Sequence, residues 1–311
     1  MPSLVTARAF KSNLLQIAIF PSPKKRSRKL LDPEHQTNSF QICMPLRPDR
    51  LWFAIKDEEE IEEATEYVLS TESVPHLKLI EEKMPLIRKE YAEVKQRTGL
   101  FTPYFQENIS SPPGSWDTIP LCVFELKRGH SRLFPGLMAV LNEVPGLIGC
   151  FISRLKPQSS ISRHSGITNG IFRCQIALDL PSDLPEVTGF SVADATTRLY
   201  EDRFISFVDA NAHWAWNRAE ADRVILIVDI IRPQFRYLRY YISARITFAY
   251  IVLVLSEKKG LGLLGRFLST KISRYILNVI AIPTVPVFFL LTKINNFGVT
   301  RFGKTFKKQD Q

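Results

Sequence analysis

Residues 159–181, SSISRHSGITNGIFRCQIALDLP, decide how the rest of the chain is read. From Ile171 the residues alternate, with Ile171, Arg173, Gln175 and Ala177 on one face of a strand and Phe172, Cys174, Ile176 and Leu178 on the other. One face is wholly apolar; the other carries a cation and an amide. A guanidinium on an inward face requires an anionic partner, either a protein carboxylate or a ligand. Just before this strand stands His164, followed by the small residues Ser165 and Gly166.

A second stretch repeats the arrangement. In residues 207–233, FVDANAHWAWNRAEADRVILIVDIIRP, His213 precedes a strand rich in β-branched residues that opens at Arg223. Two strand-edge histidines can be two ligands of one metal, because imidazole is the commonest nitrogen donor to iron, zinc or copper. A histidine at a strand edge is equally a hydrogen-bonded structural residue, so the pair alone leaves both readings open.

Five words in order resemble one family: GSWDTIPL at 114–121, FPGLMAVLNEVPGL at 134–147, HSGITN at 164–169, RCQIALDLP at 173–181 and HWAWNRAEADRVILIVDIIRP at 213–233. They resemble the aspartyl/asparaginyl β-hydroxylases and the related bacterial lipid A hydroxylases, which are iron(II) and 2-oxoglutarate dependent jelly-roll dioxygenases. The resemblance covers roughly residues 75–235. It implies Fe(II) and 2-oxoglutarate as cofactors, with His164 and His213 as catalytic metal ligands. It further implies that Trp116, Ser153, Arg173, Gln175 and Arg223 bind the cofactor, Arg223 pairing with its distal carboxylate and Arg173 meeting cofactor or a substrate anion. Where this class of oxygenase places a carboxylate two residues after the first histidine, Gly166 stands, as in the protein-hydroxylase branch and unlike the lipid A branch. Gln175 replaces a histidine usual in the family, so an amide that cannot titrate faces the pocket. Asp209 is read as a supporting acid or a loop cap, Asp229 as the partner of an arginine, and Trp214 and Trp216 as sheet packing.

Charge divides the 311 residues into three parts: residues 1–31 hold seven Lys/Arg and no acids, residues 32–230 hold 20 against 29, and residues 231–311 hold 14 against two. The basic tail is interleaved with aliphatic runs, ITFAYIVLVL at 246–255 and YILNVIAIPTVPVFFLLT at 275–292. That pattern suits an anionic membrane surface better than nucleic acid, which is excluded as a partner. Between the runs, residues 260–274 place Leu261, Leu264, Leu268 and Ile272 at helical spacing beside basic residues. Cys43, Cys122, Cys150 and Cys174 show no metal-ligand spacing and imply no disulfide framework.

The expected architecture is mainly β, a double-stranded β-helix (jelly roll) with flanking helices and a C-terminal hydrophobic helical segment. Its divisions are a basic arm or targeting segment at 1–55, a helical lead-in at 56–110, the dioxygenase domain at 111–235 and a membrane-associating segment at 236–311, single-pass or re-entrant. In the lead-in, Asp57–Leu69 reads as an acidic helix. Leu77–Gln96 reads as an amphipathic helix kinked or split at Pro85, its apolar stripe Leu79, Ile80, Leu86, Ile87, Tyr91 and Val94. The expected activity is hydroxylation of an unactivated C–H bond, on an aspartyl or asparaginyl side chain of a peptide or protein or on a membrane-delivered acyl lipid. The alternatives are a halogenase, since a small residue at position 166 can leave room for a halide, and a non-catalytic membrane adaptor on a degenerate barrel.

Overall fold

Strand alternation sets the layering. The computed structural model describes residues 51–53, 67–97, 99–193, 195–256 and 271–306; the basic arm, most of the acidic stretch and residues 257–270 lie outside them. Twelve strands follow in order: β1 (Thr102–Pro103), β2 (Ser110–Ser111), β3 (Trp116–Val123), β4 (Leu126–Lys127), β5 (Leu147–Leu155), β6 (Ser159–His164), β7 (Ile171–Asp179), β8 (Thr188–Val192), β9 (Ala195–Arg198), β10 (Ile205–Val208), β11 (His213–Asn217) and β12 (Arg223–Ile231). They form two antiparallel sheets, one ordered β1-β3-β5-β12-β7-β10 with β4 beside β3, the other β2-β6-β11-β8-β9. The result is the expected jelly roll with flanking helices.

The two faces of β7 and β12 meet different cores. Ala177, Ile225 and Ile227 pack between the sheets with Trp116, Ile161, Phe190 and Phe207. On the opposite face, Phe172, Cys174, Ile176, Val224, Leu226 and Val228 pack against the helices. All nine residues of β12 are therefore buried, which is why this strand reads as a continuous apolar run rather than an alternation.

Pro85 splits the lead-in helix, as its missing N–H and fixed φ require. Helix α1 (Lys78–Glu81) ends and α2 (Met84–Val94) restarts with Pro85 in its first turn. The break shifts the phase of the buried stripe: Leu77, Ile80, Met84, Ile87, Tyr91 and Val94 are buried, while Leu79 and Leu86, expected in the stripe, are 37% and 44% exposed. Helix α3 (Pro135–Leu141) follows, with Leu137, Met138 and Leu141 buried. Of the expected acidic helix, the described residues Tyr67, Val68 and Leu69 are not helical, and Leu69 bridges Ser206.

Residues 124–125 form the turn between β3 and β4. Phe124 and Glu125 both adopt positive φ, 48° and 69°. The turn abuts helix α4 (Arg239–Ser256): Arg239 donates to both Glu125 carboxylate oxygens at 3.1 and 2.8 Å, Ser243 donates to one at 3.1 Å, and the Phe124 ring lies 6.0 Å from Tyr250. Helix α5 (Lys271–Phe306) continues through Pro283 and Pro286. It buries Asn278, Ala281, Phe288 and Thr292 on one side and exposes Ile276, Val279, Ile280, Val287, Leu290, Leu291 and Ile294 on the other. Its residues 275–295 are long and apolar enough to cross a membrane. The boundary expected at 235/236 is not a packing boundary, because Phe235, Leu238, Tyr241 and Ile242 are buried and Asn295 bonds the backbone of Lys127 in β4.

Candidate active site

The histidine pair is made by strand register. His164 ends β6, His213 opens β11, and the two are cross-strand partners with ring centroids 4.3 Å apart. Each ring is oriented locally: Nδ1 of His164 lies 2.8 Å from the carbonyl oxygen of Ser162, and Nδ1 of His213 lies 2.8 Å from that of Asn211. A carbonyl oxygen only accepts, so Nδ1 carries the ring proton and Nε2 keeps its lone pair, the arrangement a metal ligand needs. Burial, the leading cause in both, lowers the His164 pKa to about 4 and holds that of His213 well below the ordinary range. Both imidazoles are neutral donors at neutral pH. Among the described residues, no third His, Cys, Asp or Glu joins them in a metal-ligating group.

Gly166 has a steric reason. A Cβ there would sit 1.8 Å from Oδ2 of Asp209 and 2.7 Å from its carbonyl oxygen, which also accepts the Gly166 N–H at 2.8 Å. The space a residue-166 side chain would fill is thus occupied by the Asp209 carboxylate. Asp209 is ion-paired to Nη1 of Arg173 at 2.8 Å. Burial raises its carboxyl pKa above the ordinary range, against the pull of Arg173 and with a further push from Asp229.

Arg173 finds its anions within the protein. Besides Asp209, it donates from Nε and Nη2 to the two oxygens of Asp229 at 2.9 and 3.0 Å, across the β7–β12 register. Its guanidinium nitrogens thus lie 2.8–3.0 Å from carboxylate oxygens of the protein, while the side chain lines the pocket expected to hold cofactor or substrate. Asp229 is the arginine partner expected of it.

Arg223 is the opposite case. It opens β12, is 2% exposed, and its Nε and Nη2 have no hydrogen-bond partner. Burial alone lowers its pKa to about 10. A buried cation left with unsatisfied donors is costly unless an anion arrives. Gln175 beside it on the inter-sheet face has an unpartnered Oε1. Ser153 accepts from the Trp116 indole N–H at 2.8 Å, which leaves its own hydroxyl proton to donate to a ligand.

One pocket brings together every residue expected at the site: Trp116, Ser153, His164, Arg173, Gln175, His213 and Arg223. Phe151, Ile161, Phe190, Ile225 and Ile227 make its walls largely apolar. Tyr104 and Trp214 also line it. Tyr104 stacks on Trp116 at 3.8 Å with the planes 22° apart. Trp214 lines the mouth under the Arg163 guanidinium, 4.8 Å from its ring centre, while Trp216 packs away from the pocket and donates to the Pro185 carbonyl. Tyr104 leaves no periodic signal because it lies in irregular chain between β1 and β2.

Comparison with known proteins adds the following. The family model described as aspartyl/asparaginyl beta-hydroxylase matches residues 81–233. An ornithine lipid ester-linked acyl 2-hydroxylase of Rhizobium tropici is 28% identical over 172 residues, 53% of this chain and 60% of that protein. The human aspartyl/asparaginyl beta-hydroxylase is 27% identical over 165 residues, 51% of this chain and 21% of that protein. The match therefore spans less than two thirds of either relative. A Pseudomonas putida prolyl-4-hydroxylase structure aligns with 54% of this chain and 94% of its own at 13% identity and a TM-score of 0.37.

Proposed function

With residues 81–233 placing this chain in the aspartyl/asparaginyl beta-hydroxylase family, we propose that its pocket binds Fe(II) and 2-oxoglutarate and hydroxylates an unactivated C–H bond. The observation that carries this reading is the unpartnered, buried Arg223 guanidinium in the same pocket as two imidazoles whose Nε2 lone pairs are bare. The donor set suits a metal chelated by a small dicarboxylate. When bound, iron with 2-oxoglutarate supplies the oxidising power, converting the keto acid and O2 to succinate and carbon dioxide with transfer of one oxygen atom to substrate.

The chain's own residues would divide the remaining work. His164 and His213 hold the metal through Nε2, oriented by the carbonyls of Ser162 and Asn211. Arg223 takes the distal carboxylate, with the Ser153 hydroxyl as a second donor and Trp116 as the wall that fixes Ser153. Gln175 orients a donor against its free Oε1. Asp209, ion-paired to Arg173, fills the space beside the backbone of Gly166, two residues after His164. The apolar walls exclude water from the reacting centre.

The substrate reading favoured here is an acyl chain delivered from a membrane, supported by the apolar walls, the exposed face of α5 and the commitment of Arg173 to protein carboxylates. The basic tail would meet anionic headgroups. A second reading, an aspartyl or asparaginyl side chain, rests on Gly166. A non-catalytic adaptor is disfavoured because it has no use for a buried unpaired cation facing two oriented imidazoles.

The test is oxygen- and iron-dependent conversion of 2-oxoglutarate to succinate by the full chain in detergent or vesicles. Absence of both turnover and 2-oxoglutarate binding would refute the reading. Stimulation by ester-linked acyl lipids or by aspartyl peptides then separates the two substrate classes.

A further inference from the structure

A row of aromatic rings leads away from the pocket. The Trp116 ring lies 6.2 Å from His164 and 3.8 Å from Tyr104; Tyr104 lies 4.6 Å from Phe105, and Phe105 lies 4.6 Å from Tyr250 of α4 in an edge-to-face contact. Tyr104, Phe105 and Tyr250 are each only half-buried. Tyr250 sits within the apolar run of α4, next to Ile251, which is 46% exposed, and α4 packs along α5 with its exposed apolar face. The row thus joins the pocket to α4, which packs along α5.

We propose that this row is the entry wall along which a lipid acyl chain passes from the apolar helices α4 and α5 to the histidine pair, so that Phe105 and Tyr250 decide which substrates reach the pocket. This rests on the membrane-delivered substrate reading above and adds the route. Rings half-open to solvent gain burial when methylene groups lie against them, whereas a charged side chain passing the same rings would lose hydration. The geometry is held from outside the row. The Phe124–Glu125 turn sets α4 through the Glu125 carboxylate, which accepts from Arg239 and Ser243, and the Phe124 ring touches the far side of Tyr250 at 6.0 Å. An aspartyl group arriving by this path would meet Arg173 already paired with Asp209 and Asp229. On this view the C-terminal helices are part of the substrate site as well as a membrane contact.

The experiment uses the full chain in phospholipid vesicles, with Trp52, Trp214 and Trp216 replaced by Phe so that Trp116 is the remaining indole. Lipids brominated along the acyl chain quench a tryptophan that the chain touches. Trp116 emission should fall at least two-fold with brominated lipid relative to the same lipid without bromine. Phe105→Gln and Tyr250→Gln should each float with vesicles as the parent does, yet lose at least half of that quenching. If one variant fails to fold, the other decides the matter. Flotation without Trp116 quenching, or quenching unchanged in a folded variant, overturns the route while leaving membrane attachment standing. Absence of flotation overturns the membrane reading and the route together, and says nothing against iron and 2-oxoglutarate binding, which is measured separately in detergent.

Discussion

Replacing Arg223 by Met perturbs stability and cofactor binding in opposite directions. The guanidinium is 2% exposed and its Nε and Nη2 are unpartnered. Burial lowers its pKa to about 10, which corresponds to roughly 3 kcal/mol of unfavourable charge burial in the ligand-free fold. Because the folded value lies below the unfolded one, the folded chain holds this proton less tightly, and the penalty is fully present at every pH below about 10. Met preserves much of the side chain's length and carries no charge. The ligand-free variant should therefore be more resistant to urea, by about 1–3 kcal/mol. Binding moves the other way. Removing one member of a buried charge pair costs about 2–5 kcal/mol, so 2-oxoglutarate should bind roughly 30-fold to several thousand-fold more weakly. Calorimetric titration with Mn(II) in place of iron measures the affinity without turnover, and urea unfolding measures the stability. A variant that is less stable without ligand and binds 2-oxoglutarate with unchanged affinity would show that Arg223 has a protein partner and is not the carboxylate anchor.

Other outcomes follow from the same geometry. His164→Ala and His213→Ala should each abolish Mn(II) binding, read by the loss of change in its electron paramagnetic resonance signal, while the circular dichroism spectrum stays that of the parent. Both histidines have lowered pKa values, His164 to about 4 from 6.5, so the unfolded chain takes up protons that the folded chain refuses. Metal-free stability should therefore rise with pH between about 4 and 6.5 and level off above, and a urea midpoint that is flat across this window would contradict the burial of the pair. Gly166→Ala drives a Cβ into the Asp209 carboxylate and should destabilise by about 1–3 kcal/mol. Adding Asp209→Gly should recover most of that loss in a double-mutant cycle, and strict additivity would show that the two do not touch. Glu125→Ala leaves Arg239 and Ser243 without their shared acceptor and should cost about 1–3 kcal/mol, measured as a lower unfolding midpoint and faster trypsin cleavage within α4.

The sequence by itself determined the strands, and its resemblance to one family named the candidate site residues, because both are read from local words. The two-residue period of 171–178 separates an apolar face from one bearing Arg173 and Gln175, and that separation survives folding because each face must meet a different layer. The resemblance placed seven residues from six strands at one site, and the fold brings all seven to one pocket. Which arginine is free was not legible. Arg173 and Arg223 occupy equivalent inward positions in their strands; register alone sets Asp229 opposite Arg173 and leaves Arg223 facing Leu155 and the pocket. The same holds for Gly166, whose small size reads as an empty place until Asp209, 43 positions on, is seen to fill it. The tail shows the limit most plainly. Its apolar runs are visible in composition, but the contacts that bind it to the barrel, Arg239 to Glu125 and Asn295 to Lys127, join residues 114 and 168 positions apart. Long-range polar pairings carry no periodic signal, so only the tertiary structure could make the helices neighbours of the pocket.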